Sequence, residues 1–200
     1  MQKREAPFDP GVFFHVYSHG NAEDNIFREE ENYHYFLKRY AYYILPVAQT
    51  YAFCLMPNHF HLLLQVRGRE ELNRFFKSEG KGGKKLPVLI SKQFSNLLNA
   101  YSKAFNKKYN RRGKLFLKSL KRKPVKDDVY FTRLIWYIHQ NPVLHGFVKG
   151  IEEWPYSSYQ LILSQKKTKI EREELLKKFG SRKLFRAFHN RDLDMKGIEL

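Results

Sequence analysis

The stretch YAFCLMPNHFHLLLQV, residues Tyr51 to Val66, decides the fold. YAFCLM (Tyr51–Met56) is an apolar run of strand length, Pro57-Asn58 is a turn, and HFHLLLQV (His59–Val66) is a second strand. Residues two apart on a strand share a face. His59 and His61 therefore point one way, and Phe60, Leu62 and Leu64 point the other. Outward from this hairpin, VFFHVY (Val12–Tyr17) reads as a short strand and Phe27–Leu45 as a helix. The stripe of that helix is Phe36, Leu37, Tyr40, Ala41, Ile44 and Leu45, and Pro46 stops it. A short helical piece at Glu70–Lys77 precedes the glycine-rich loop SEGKGGKKLP. Ile90, Phe94, Leu97, Leu98, Tyr101 and Phe105 then recur at helical spacing, and KLFLK (Lys114–Lys118) reads as the last strand. The order β-α-β-β-α-β predicts an α+β, ferredoxin-like fold with an antiparallel sheet.

A further helix is expected over Asp128–Asn141, with N-caps offered by Asp127 and Asp128 and its end forced by Pro142. From Trp154 the chain reads as short helices, among them IEREELLKKF, packed outside the sheet. The expected organisation is one domain over residues 1–150, including the helix 128–141, and a helical extension over 151–200.

With 42% hydrophobic and 16% aromatic residues, the chain is a folded protein and not a disordered tail. Its formal charge of +17 predicts attraction to a polyanion, nucleic acid first. The basic residues are concentrated: from Gly80 to Lys126 there is no acidic residue. No run is long and apolar enough for a spanning helix, and MQKREAPFDP lacks the apolar core of a signal peptide. The single cysteine, Cys54, allows no internal disulfide and is expected to be a buried, inert thiol. The expected compartment is the cytoplasm.

Two imidazoles on one strand face can share a divalent cation. On the helix 128–141, Phe131, Leu134, Ile135 and Ile138 form the core stripe, with Tyr137 and Asn141 one turn apart on its flank. Asn141 offers a hard amide oxygen suited to Mg²⁺ or Mn²⁺, and Tyr137 offers a phenol oxygen. Spacing alone does not select Tyr137 over Tyr130 or Tyr109. From the residues alone, the reading is a metal pair facing a helix rich in tyrosine.

CLMPNHFHLLLQV, AYSKAFNKKYNRRGKLF, YIHQNPVLHGFV and EWPYSSYQ, in that order, resemble the REP-associated tyrosine transposases, within the superfamily that carries a His-hydrophobic-His motif and one catalytic tyrosine. The resemblance runs from about Val12 to Gln160. It implies a metal-dependent enzyme that nicks and rejoins single-stranded or hairpin DNA. Tyr137 is the implied nucleophile, giving a 5′-phosphotyrosine link. His59 and His61 are the implied metal ligands, with Asn141 third and the adjacent Gln140 as its rival. Mg²⁺ or Mn²⁺ is the implied cofactor. Lys107, Lys108, Arg111, Arg112, Lys121, Arg122 and Lys123 are candidate phosphate contacts, and a homodimer is allowed for. The alternative is a domesticated protein that binds hairpins without cutting them. His15, His19, His34, His139, His145 and His189 are expected in ordinary surface or capping roles. Trp154-Pro155 and Ser157–Tyr159 are expected to be a packing motif.

Overall fold

The computed structural model describes residues 5–21, 24–117 and 120–193. Four strands and seven α-helices follow one another as β1 (Phe13–His19), α1 (Glu30–Tyr43), β2 (Ala48–Leu55), β3 (His59–Val66), α2 (Arg69–Ser78), α3 (Leu86–Lys108), β4 (Lys121–Pro124), α4 (Asp128–Leu144), α5 (Tyr159–Leu163), α6 (Arg172–Phe179) and α7 (Arg182–His189). The sheet order is β2-β3-β1-β4, and every neighbouring pair is antiparallel. This is the ferredoxin-like α+β arrangement expected from the strand and helix order.

The period-two pattern of β3 divides the molecule in two. Phe60, Leu62 and Leu64 join Phe14 and Val16 of β1 in a core roofed by α1 and α3. On the other face, Leu63 packs with Tyr51, Cys54 and the apolar stripe of α4, namely Phe131, Leu134, Ile135 and Ile138. Cys54 is fully buried there and burial pushes its thiol well up, as expected of an inert cysteine.

Two expectations are corrected. The last strand is not KLFLK but Lys121–Pro124, paired with β1 from Tyr17↔Lys121 to Phe14↔Pro124. Leu115 and Phe116 are buried in an irregular segment, touching the sheet through the bridge Gly20↔Phe116; Lys118 lies outside the described residues. The side chains of the irregular segment fill the core, whereas the basic strand is chosen by its pairing. Pro142, in turn, does not end α4, which continues to Leu144. The proline falls in the last turn, where only one intrahelical bond is lost, and the chain closes with His145 N–H to the Asn141 carbonyl (3.0 Å) and Phe147 N–H to the Pro142 carbonyl (2.9 Å). At the other end Asp127 caps the helix, accepting from Tyr130 N–H at 2.7 Å.

The segment after α4 closes the outer edge of β2. Leu55 N–H donates to the Tyr156 carbonyl and Ser158 N–H to the Phe53 carbonyl, both at 2.9 Å. Trp154 Nε1 donates to the Leu55 carbonyl at 3.0 Å, and Tyr156 stacks on Tyr33. The WPYSSY segment is thus a packing motif that protects a sheet edge. The opposite edge, β4, is four residues of Lys, Arg and Pro, a composition that discourages further pairing. No described helix is long and apolar enough to cross a membrane.

Candidate active site

Register fixes which side chains meet. Antiparallel pairing of His19 with His59, Tyr17 with His61 and His15 with Leu63 puts three β1 side chains on the same sheet face as the His59–His61 pair. Helix α4 crosses this face and delivers Tyr137 and Asn141 to it. Ring centroids lie 5.1 Å apart for His59 and His61 and 5.4 Å apart for His61 and Tyr137. His59 Nε2 is 2.9 Å from Asn141 Oδ1. His59, His61 and Asn141 are all buried, and Tyr137 is 6% exposed.

The donor and acceptor balance is incomplete. His59 Nδ1 lies 2.7 Å from Asn58 Oδ1 while Nε2 faces Asn141 Oδ1. A neutral imidazole has one N–H, so only one of these amide oxygens can receive a hydrogen bond. Burial holds the imidazole neutral, lowering its pKa to about 4. The second histidine is more extreme: its pKa falls well below the usual value through burial, and its Nε2 has no partner. The Tyr137 hydroxyl is likewise buried without a hydrogen bond. Burial raises its pKa; the nearby Asn141 amide pulls the other way, although no bond of proper geometry joins them.

These vacancies fit a divalent cation. A metal on His59 Nε2 and Asn141 Oδ1 would leave Nδ1–H to donate to Asn58, and it would satisfy His61 Nε2 as well. Among the described residues no three His, Cys, Asp or Glu side chains converge to hold a metal. The donor set for such an ion would be two imidazoles and an amide, which would leave room for water or phosphate oxygens. Gln140 points elsewhere, donating to the His189 carbonyl at 3.0 Å, so Asn141 is the amide brought to the histidines.

Several residues at the face carry no obvious signal in the sequence. His15 is fully buried, with Nε2 2.9 Å from His61 Nδ1. Tyr17 stacks on His61 at 5.6 Å. His19 and His145 both contact the His59 ring, at 4.9 and 5.1 Å. Tyr109, by contrast, binds Glu29 and Asn32 beside α1 and α3.

His139 and His189, expected at the surface or at caps, are also buried. His189 Nδ1 donates to the Phe185 carbonyl (2.8 Å), so its Nε2 accepts from His139 Nδ1 (2.8 Å). His139 Nε2 then accepts from the Ser158 hydroxyl at 2.7 Å, and Ser158 Oγ accepts from Phe53 N–H at 2.9 Å. The chain of bonds ties α4 to α7 and β2 with every member satisfied.

The candidate phosphate contacts separate into groups. Lys107 and Arg112 are exposed. Lys108 pairs with Glu29 (2.8 Å) and Glu31, and Arg111 pairs with Asp24. Lys121 pairs with Glu5 at 3.0 Å. Arg122 shares the α1/α3 face, with its guanidinium over Phe8 and donating to the Ala6 carbonyl. By register, Lys121 and Lys123 share the histidine face with Tyr17 and His15.

No protein-family model matches the chain. A Haemophilus influenzae protein named "Putative REP-associated tyrosine transposase" is 30% identical over 114 residues, 56% of this chain and 58% of the relative. The match thus spans little more than half the relative's length. A solved structure of a REP-associated tyrosine transposase bound to a REP hairpin superposes with a TM-score of 0.57 at 15% identity, over 82% of this chain and 87% of that one. The resemblance carried by the motifs therefore holds in sequence over these 114 residues and in fold over most of the chain: it is similar to the REP-associated tyrosine transposases.

Proposed function

We propose that the chain is a metal-dependent transposase that nicks and rejoins single-stranded or hairpin DNA through a 5′-phosphotyrosine intermediate. The observation that carries this reading is the cluster of unsatisfied ligand atoms under α4: His61 Nε2 without a partner, His59 Nε2 against Asn141 Oδ1, and the Tyr137 hydroxyl beside them. His59, His61 and Asn141 would hold Mg²⁺ or Mn²⁺, which when bound supplies positive charge to a scissile phosphate. Tyr137 supplies the nucleophile: its oxygen bonds to phosphorus, the bond from phosphorus to the 3′-oxygen breaks, and the phenol proton ends on that 3′-oxygen. The phosphodiester is conserved in the tyrosyl link, so a second 3′-hydroxyl can reverse the step and join new ends. Lys121 and Lys123 share the same face and would bind the flanking strand, Lys121 only on breaking its pair with Glu5. Residues 1–150 form the catalytic unit in this reading. The described part of the extension, residues 151–193, braces it, since Ser158 and His189 hold α4 through His139.

One observation favours a second reading, a hairpin binder that does not cut. The Tyr137 oxygen and His61 Nε2 are sealed from solvent, so a phosphate does not reach them in this arrangement of the chain. The test incubates wild type, Tyr137→Phe and Tyr17→Phe with labelled hairpin DNAs and Mn²⁺, followed by a denaturing gel. A covalent adduct that needs metal and the Tyr137 hydroxyl is expected. Salt-sensitive binding without any adduct supports the second reading. An adduct lost in Tyr17→Phe and kept in Tyr137→Phe would move the nucleophile to β1.

A further inference from the structure

We propose that His15 is a positioning residue for His61: by accepting the His61 Nδ1 proton, it leaves a lone pair on His61 Nε2, the nitrogen that has no protein partner. This inference rests on the metal-dependent reading of the same site. The two histidines sit on adjacent antiparallel strands, one register step apart along the diagonal, since His15 faces Leu63 and Tyr17 faces His61. His15 Nε2 and His61 Nδ1 are 2.9 Å apart, and both side chains are fully buried. Their remaining nitrogens, His15 Nδ1 and His61 Nε2, have no hydrogen-bond partner.

Two neutral rings joined in this way have two proton arrangements. In one, His61 Nδ1–H donates to His15 Nε2, so His61 Nε2 is a bare donor and His15 Nδ1 carries the other proton. In the reverse arrangement His15 Nε2–H donates, His61 Nε2 carries a proton, and it cannot bind a cation. Each leaves one buried N–H unpaired, on His15 or on His61, so the protein alone favours neither strongly. A cation at His61 Nε2 selects the first arrangement, and only a partner able to accept at Nδ1 keeps it available. A ligating histidine usually donates its second N–H to a carboxylate, a carbonyl or water; here a buried imidazole takes that place. His15 also stops the His61 ring from turning, because its contact lies on the side of the ring opposite Nε2.

The test compares wild type with His15→Phe, which keeps a ring and removes the acceptor, and His15→Gln, whose amide oxygen restores it. Mn²⁺ affinity is read by titration calorimetry. Imidazole tautomers are read by ¹⁵N NMR on metal-free protein and on protein loaded with Zn²⁺ as a diamagnetic probe. His15→Phe is expected to weaken Mn²⁺ binding by about 10–100-fold and to shift the metal-free His61 proton from a mixture of the two nitrogens toward Nε2, with His15→Gln recovering both. A structural role alone would lower the melting temperature without separating Phe from Gln in either readout. Wild-type affinity in His15→Phe overturns the assignment, as does an unchanged His61 tautomer. If wild type binds no Mn²⁺ and its His61 proton still sits on Nδ1 in a way that depends on residue 15, the metal-dependent reading fails while the positioning role stands.

Discussion

Phe60 and His61 are neighbours in the chain and face opposite sides of one sheet, and the two sides follow different rules. The Phe60 side, under α1 and α3, is closed mainly by hydrocarbon: Phe14, Val16, Phe36, Leu62, Phe94 and Tyr101 meet there, and its buried hydroxyls are paired, Tyr40 with Thr50 and Tyr101 with the Ile26 carbonyl. The His61 side, under α4 and α7, buries His15, His59, His61, His139, His189 and Asn141. The first side accepts any well-packed apolar set. The second needs particular atoms in particular protonation states, and it tolerates three polar atoms, on His15, His61 and Tyr137, that no protein group satisfies. Each such group calls for an explanation, and on the proposed function a ligand completes them. On that reading, stability rests on one side of the sheet and chemistry on the other.

The most direct way to break this contrast is to empty the apolar side. Phe60 is fully buried, 5.2 Å from Phe36 and 6.2 Å from Phe116 by ring centroid. Phe60→Ala is expected to cost about 3–5 kcal/mol in a urea titration. A loss under about 1 kcal/mol would show that α1 and α3 do not carry the stability assigned to them.

Acid should act on the opposite side. His139 is held well below the usual imidazole pKa by burial and by the charge of its neighbour His189, and burial lowers His189 to about 4. A histidine whose folded pKa is depressed resists protonation only while folded. Its contribution is fully present above its unfolded value of about 6.5 and is lost as pH falls from there toward the folded value. Stability is therefore expected to drop between pH 6.5 and 4, by about 1.4 kcal/mol per pH unit for each such histidine. Hydrogen exchange at pH 5 should open α4 and α7 before α1 and α3. Uniform opening of both sides, or a flat urea midpoint over this range, would remove the distinction between them.

The share of this organisation that was legible in the sequence follows from which forces are local. Alternation in HFHLLLQV, broken only at Leu63, declares both faces of β3, and helical spacing declares the stripe of α4 with Tyr137 and Asn141 on its flank; both patterns need only near neighbours along the chain. The β1–β3 register is a tertiary fact, so the burial of His15 and its contact with His61 could not be read, although His15 and Tyr17 alternate correctly for it. The His139–His189 pair joins residues 50 apart and is invisible to periodicity. KLFLK reads as a strand because a short apolar run serves a strand and an irregular core-filling segment equally well. KRKP carries no strand signal of its own, because its strand character comes from its partner β1 alone.

A smaller effect sharpens the idea that the polar side is built for a ligand. Removing the Tyr137 hydroxyl should barely change stability, because that oxygen is buried and makes no hydrogen bond. Tyr137→Phe is expected to stay within about 1 kcal/mol of wild type, on the stable side if anything, since an unpaired buried hydroxyl carries a desolvation cost. A clear destabilisation in thermal melts would mean that the hydroxyl has a structural partner, and the case for a vacancy kept for chemistry would weaken.

The smallest effects lie on the basic surface, where stability and binding can be separated residue by residue. Lys107 and Arg112 are exposed, and no acidic residue lies between Gly80 and Lys126. Lys108 and Arg111, their neighbours, are tied to Glu29, Glu31 and Asp24 across the α1–α3 side. A cation already committed to carboxylates has to break those pairs before it serves a phosphate, whereas an uncommitted one releases a counterion from DNA directly. Lys107→Ala and Arg112→Ala are each expected to reduce the slope of log K against log salt for a single strand by about 0.7, with no change in melting temperature. Lys108→Ala and Arg111→Ala should do the reverse, lowering the melting temperature slightly and leaving the slope nearly intact. Fluorescence anisotropy with one labelled hairpin across a salt series, beside melts of the same four variants, measures both quantities. If all four change the slope alike, ion pairing within the fold does not decide which lysines and arginines meet DNA, and the basic surface acts as one undivided field.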